Sequence, residues 1–225
     1  MSETKIFIHI GLHKTGTTFL QKEVFPKIPN INYIFRVGLD TAIVEDKTNL
    51  LSDENLDGGS YRVFRNHFQR NAIAENLSKM YPKAKIIICI RDTESWLKSA
   101  WKQYTLSYYG YSLNEYRRRL DPEFANHYQY IDYLRTLFKD VYICYFGELK
   151  KDPKKFVKGI CDFMNVEAPQ FKNKRVYESI TDGQARFIQI YDSIFRSKTM
   201  HFFLSLLIRF VRKDEMFEKW VNKEI

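Results

Sequence analysis

The stretch Ile6-Phe7-Ile8-His9-Ile10-Gly11-Leu12-His13-Lys14-Thr15-Gly16-Thr17-Thr18-Phe19-Leu20 decides how the rest of the chain is read. Its opening apolar run with β-branched residues has the pattern of a buried strand, and a helix start is expected at about Thr17. Between them, the turn from Gly11 to Gly16 has the makings of an anion cradle. Two glycines let the backbone wrap closely round a ligand. Loop and helix N–H groups point inward there, and the helix dipole favours negative charge. The spacing is that of a nucleotide P-loop, but the chemistry differs. A triphosphate loop needs Lys directly after the second glycine and a magnesium-binding hydroxyl after that. Here Thr17 holds the Lys position, and Lys14 lies two residues before Gly16. A cation set back into the loop suits one phosphate and the bridging oxygen leaving it, so the loop points to an anhydride donor with a single phosphate at its reacting end.

The run Lys14-Thr15-Gly16-Thr17-Thr18 resembles the 5'-phosphosulfate-binding loop of sulfotransferases. The resemblance implies 3'-phosphoadenosine 5'-phosphosulfate (PAPS) as donor, PAP as product, and no metal. It assigns His13, Lys14, Thr15, Gly16, Thr17 and Thr18 to the donor. The bland alternative is an ordinary strand-to-helix turn that happens to contain Gly and Thr.

A chain of 225 residues is long enough for one substantial core, so a single domain over residues 1–225 is expected, mainly helical from about residue 182. Hydrophobic residues at 44% and charged residues at 28% are globular proportions. Thirty-six Lys and Arg against 27 Asp and Glu leave +9, a field that attracts polyanions. Cys89, Cys144 and Cys161 are odd in number, lie in apolar runs and fit no zinc spacing, which points to reduced thiols. The first strand begins within about five residues of Met1, leaving no room for a leader. A cytoplasmic protein is expected.

Along the chain, a helix from about Thr17 to Phe25 should stop at Pro26, and residues 30–49 resist assignment. Leu50-Leu51 opens a short buried segment running into Ser52-Asp53-Glu54. A helix is expected over about 66–81, with Ile73, Leu77 and Met80 inward. Ala84 to Ile90 is a continuous apolar run, as a parallel strand covered on both faces requires. It ends at Arg91, and the next helix carries Ser99 two turns in. A strand Val141 to Phe146 and an Asp152-capped, Pro153-opened helix over 153–165 follow. The order of elements implies an α/β fold, a P-loop-like central parallel sheet flanked by helices on both faces. Ligands of such sheets bind at the carboxyl ends of the strands. Three polar features fall there: the Lys14 loop, Ser52 to Glu54, and Arg91.

The resemblance extends to these positions. Arg at a strand end with Ser two turns later, here Arg91 and Ser99, binds the donor's 3'-phosphate in sulfotransferases, and guanidinium and hydroxyl suit phosphate oxygens. The turn Phe146-Gly147-Glu148-Leu149 replaces with Phe146 the family's tyrosine that helps enclose adenine. The family's C-terminal Arg-Lys-Gly loop is missing, with Lys174 and Arg175 as the nearest substitutes. Sulfuryl transfer to a hydroxyl needs a base, and the carbohydrate enzymes of the family use a glutamate, which nominates Glu54 first and His67 second. The tyrosines and arginines between Tyr104 and Arg119 are read either as an acceptor groove with a lid near Gly110 or as ordinary helix packing. A saccharide or glycolipid acceptor is expected, and no nucleic acid. Residues 200–213, apolar with basic flanks, suit either a core-packed terminal helix or peripheral contact with a membrane. Two other functional classes fit parts of the sequence: a P-loop kinase, and a non-catalytic basic module for polyanions.

Overall fold

The computed structural model describes residues 4–36, 42–58, 66–107, 111–172, 180–195 and 198–211. Five parallel strands form one sheet: β1 Lys5–Ile10, β2 Ile31–Phe35, β3 Thr48–Asp53, β4 Lys85–Ile90 and β5 Val141–Tyr145, in the order β2-β3-β1-β4-β5. The register pairs Ile10 with Asp53 and with Ile88, and Cys89 with Cys144. β1 is therefore central, and the chain leaves it first to one side and then to the other. A crevice at the carboxyl ends is the usual result of such a reversal.

Alternation along the strands sends side chains to two cores, because successive strand residues face opposite sides. On one face Phe7, Leu50, Ile87, Cys89 and Cys144 pack with Phe19, Leu20, Val24, Phe25 and with Phe156, Val157, Ile160 and Met164. On the other, Ile8, Ile10, Leu51, Ile86, Ile88 and Ile90 pack with Ala74, Leu77, Tyr130, Ile131 and Leu134. The helices responsible are α2 His67–Met80 and α6 His127–Leu137 on the second face and α8 Pro153–Met164 on the first. Both faces of the sheet are thus covered, which is why β4 reads as unbroken Ile and Cys.

The first helical segment is less regular than its sequence suggests. After α1 Thr17–Phe19 the chain widens into a π-helical turn, Leu20–Val24, and closes through a 3-10 turn, Phe25–Lys27, that contains Pro26. Pro26 does not end the helical path but lies in the opening positions of that 3-10 turn, where a missing N–H loses no intrahelical partner. Two further differences concern α2 and β5. Met80 is 62% exposed whereas Arg70 is buried, its guanidinium donating to the carbonyls of Phe124 and Glu123 and lying over the Tyr130 ring. A long cation satisfied by carbonyls and rings takes the inward position that an apolar count gives to methionine. β5 stops at Tyr145, and Phe146 opens a short helix, α7 Phe146–Lys151.

The chain divides into two compact units. The first, Met1–Ser60, Arg65–Thr93 and Asp121–Val176, holds the sheet, α2 and α5 Pro122–Ala125 to α8. The second, Tyr61–Phe64, Glu94–Leu120 and Tyr177–Ile225, holds nearly all of α3 Thr93–Ser107, with α4 Leu113–Arg119, α9 Asp182–Phe195 and α10 Lys198–Val211. Within the second, α4 is opened by a capping box between Ser112 and Glu115, and Trp101 and Gln189 both donate to the Tyr111 carbonyl.

Candidate active site

At the carboxyl end of β1 the loop from Gly11 to Gly16 is shaped by close approach. Gly11 N–H donates to the Asp53 carbonyl at 3.1 Å, and a Cβ on Gly11 would stand 2.7 Å from the Thr17 methyl. Gly16 has φ +92°, and a Cβ there would fall 2.5 Å from a Leu149 methyl. Lys14 is also left-handed, φ 65°, which costs a long side chain on the order of 1 kcal/mol and marks positions held for a purpose. Two hydroxyls hold the loop: Thr15 and Thr17 both donate to the Leu12 carbonyl, at 2.7 and 2.9 Å. These two threonines, expected at the donor, spend their side-chain hydrogens on the loop itself. Thr18, half-buried, faces Glu54 instead, its hydroxyl 3.4 Å from Oε1.

Arg91, at the end of β4, reaches this loop. Its Nη1 donates to the Lys14 carbonyl at 3.3 Å, and its Cζ lies 4.8 Å from the centre of the Phe146 ring. Lys150 sits 5.1 Å from the same ring. Burial pulls the Arg91 pKa below its ordinary value, and Asp92 opposes that pull. Three strand ends therefore bring Lys14, Arg91, Phe146 and Lys150 together in the first unit.

Glu54 begins the 3-10 turn Glu54–Asp57 that follows β3, where the Asp53 carboxylate caps the Asn55 N–H at 2.8 Å. Its Oε2 lies 3.4 Å from His13 Nδ1, with both side chains partly exposed. His13, Thr18 and Glu54 thus form a small acid-base group on the loop's other flank.

His67 is engaged at the start of α2: its N–H and Nδ1 meet Asp121 Oδ2, each at 2.8 Å, and Nε2 is 3.2 Å from Glu123. Ser99 is buried on α3, in the second unit. Lys174 and Arg175 fall outside the described residues, as does Gly110 of the expected lid. Of the aromatic-basic segment, Tyr104 stacks on Tyr111 at 5.7 Å, Tyr116 tilts against Tyr104, and Arg119 caps the Tyr111 ring at 4.5 Å. These rings pack on one another.

Two buried histidines underlie the site. His9 Nδ1 is hydrogen-bonded to the Ser52 hydroxyl at 2.8 Å, which also accepts from Gln21 at 3.0 Å. Burial pushes His9 down to about 3. His127, on α6, is pushed down to about 4 by burial and by the Arg70 charge, while a hydrogen bond to the Arg91 backbone acts against them. Both are neutral at pH 7. His9 stands out in the sequence as the one polar residue in the apolar run Ile6 to Ile10. His127 carries no local signal, because its partners come from other elements.

A family model, the sulfotransferase family, matches residues 43–170, more than half of the chain. The chain belongs to the sulfotransferase family. That match begins after the glycine loop, so the loop and the family assignment support one another from different residues. Among solved structures, a sulfotransferase from Alicyclobacillus acidocaldarius superposes with TM-score 0.51 at 14% identity, covering 93% of this chain and 96% of that one. Mouse sulfotransferase SULT7A1, solved in complex with PAP, gives TM-score 0.51 at 13% identity over 100% of this chain and 90% of its own. At such identities the likeness is one of fold, and sulfotransferases of this fold share the P-loop-like parallel sheet described above. A search of curated proteins finds no match.

Proposed function

We propose that the protein transfers a sulfuryl group from PAPS to an acceptor hydroxyl, on a saccharide or glycolipid. The observation that carries the reading is the hydrogen bond from Arg91 to the Lys14 backbone carbonyl, which brings the strand-end guanidinium onto the loop that carries the lysine. In a bisphosphorylated nucleoside the two phosphates sit on one ribose, so both cations must act within a few ångströms. Lys14 and loop N–H groups take the 5' end and neutralise charge on the bridging oxygen as it leaves. Arg91 takes the 3'-phosphate, and Phe146 offers a ring to adenine. A solved relative in complex with PAP supports this choice of nucleotide.

Glu54 is the assigned base, because it flanks the loop beside Thr18 and His13, whereas His67 is occupied by two carboxylates. The acceptor O–H proton passes to the Glu54 carboxylate, the acceptor oxygen bonds to sulfur, and the bond from sulfur to the 5'-phosphate oxygen breaks. Sulfuryl transfer builds less negative charge than phosphoryl transfer, so the chemistry can run without a metal. The saccharide class rests on the glutamate base.

The test is a thermal-shift comparison of 3',5'-ADP, 5'-AMP and ATP without metal. The 3'-phosphorylated nucleotide is expected to stabilise most, and Arg91→Ala to abolish its advantage over 5'-AMP. Equal shifts for the three, or a metal-dependent preference for ATP, would refute the reading.

A further inference from the structure

The last described helix, α10, has two apolar faces. His201, Leu204, Ser205 and Ile208, spaced as one stripe of a helix, are buried, with Ile208 fully enclosed. His201 Nδ1 lies 2.7 Å from the Asp192 carboxylate, which ties that face to α9. The opposite stripe is Phe202, Phe203, Leu206 and Leu207, exposed by 57%, 60%, 43% and 54%. The two phenylalanines meet edge to face at 6.0 Å. A helix with one face docked on its own unit normally turns polar residues outward. This one turns four large apolar side chains outward, a concentration that marks an interaction surface.

The charge around it selects the partner. From 196 to 213 the sequence holds five basic residues, Arg196, Lys198, Arg209, Arg212 and Lys213, and no acidic one. They bracket the apolar stripe on both sides along the chain. A protein groove of ordinary composition offers no reason for a one-signed bracket, whereas an anionic bilayer combines an apolar interior with a negative surface. Each Lys or Arg near such a surface strengthens binding by about fivefold. Beyond this window the sequence turns acidic at Asp214, Glu215 and Glu218, so the one-signed stretch coincides with α10 and its immediate flanks. Among the described residues no helix is long and apolar enough to cross a membrane. We propose that the outer face of α10 lies in the headgroup region of an anionic lipid bilayer, with Phe202, Phe203, Leu206 and Leu207 inserted and the basic charge of the surrounding sequence favouring the negative surface.

The proposal does not rest on the sulfotransferase reaction, and its vesicle assay contains no nucleotide. The full chain is floated with vesicles of phosphatidylcholine alone and of phosphatidylcholine with phosphatidylglycerol. Binding to the anionic vesicles is expected, falling steeply with salt and absent from the neutral ones. The double variant Phe202→Ser/Phe203→Ser should weaken binding at least tenfold, and Leu206→Ser/Leu207→Ser likewise, with unchanged circular dichroism and an unchanged 3',5'-ADP thermal shift. Wild-type protein that ignores anionic vesicles, or double variants that bind as well as wild type, would overturn the proposal. So would light scattering that shows a dimer dissolved by the same variants together with no vesicle binding, since the face would then belong to a second copy.

Discussion

Acidification from about pH 7.5 to about pH 5 is expected to remove roughly 4 kcal/mol of stability, through two buried histidines that the fold keeps neutral. His9 is pushed down to about 3 by burial, and His127 to about 4 by burial and Arg70. In the unfolded chain both titrate near the ordinary value of about 6.5. Below that value the unfolded chain binds protons that the native state refuses, so stability is complete above the ordinary pKa and declines as the pH falls towards the native values. Each histidine contributes about 2 kcal/mol of loss at about pH 5, with a limiting slope near 1.4 kcal/mol per pH unit. The carboxylates act later. Asp182, held below its ordinary value by the Lys102 hydrogen bond, and Asp121, where hydrogen bonds from His67, Phe124 and Glu123 outweigh burial, lose their contribution only below about pH 4.

Urea unfolding followed by far-ultraviolet circular dichroism at half-unit steps of pH measures the slope directly. The variants His9→Gln and His127→Asn should each remove about half of it. Because His9 bonds to Ser52, two residues from Glu54, and His127 bonds to the Arg91 backbone, nucleotide affinity should fall over the same interval. Stability that is flat between pH 7.5 and 5, or a double variant that keeps the full slope, would refute the assignment of both rings as buried and neutral.

Gly16→Ala forces an alanine to φ +92° and sets its Cβ against Leu149, so a loss of about 2 kcal/mol in urea is expected, and Leu149→Ala should restore only the part owed to contact. Glu54→Gln should lower the rate of sulfuryl transfer by about a hundredfold or more while leaving the 3',5'-ADP thermal shift intact, whereas His67→Asn should change the rate by only a few fold; the reverse ranking in a transfer assay would move the base to His67. Phe146→Ala should weaken 3',5'-ADP by about tenfold and Phe146→Tyr should not, as read by titration calorimetry. Cys89 and Cys144, buried with sulfurs 2.6 Å apart, and Cys161, pushed up to about 11 by burial, should resist iodoacetamide in the native protein and react fully in urea, as counted by mass spectrometry.

The parts of the fold visible in the sequence are those whose cause is local. β1, β4 and β5 read as strands because a sheet covered on both faces demands uninterrupted apolar residues, and Ile86, Ile87 and Ile88 are all fully enclosed. β2 and β5 are both edge strands, but β5 is an unbroken apolar run, whereas Asn32 interrupts β2, which is half-buried at best, and bonds sideways to Asn49 and the Ala42 carbonyl. The apolar spacing of α2 points to Met80 as inward and misses Arg70 for a different reason, since Arg70 is made acceptable inside by carbonyls some fifty residues away in the chain. At the site, residue types were legible and pairings were not. Thr15 and Thr17 were expected to face the donor, and only the folded loop reveals that the Leu12 carbonyl holds both.

The meeting of Lys14 and Arg91 joins both kinds of information. The loop spacing nominates one cation and the strand end the other, yet neither says that the guanidinium donates to the lysine's own backbone carbonyl. Once it does, the electrostatics acquire a direction. Lys14 is held in a left-handed conformation, and Arg91 is drawn into a place where burial disfavours its charge. On the proposed reading a doubly charged anion at the crevice would favour the guanidinium charge that burial disfavours, and a nucleoside phosphorylated at both the 3' and 5' positions brings two such groups on one ribose. Binding should therefore strengthen disproportionately with the second phosphate. If the two phosphates contributed independently, with Arg91→Ala costing 5'-AMP as much as 3',5'-ADP, the division of labour between the strand ends would be wrong.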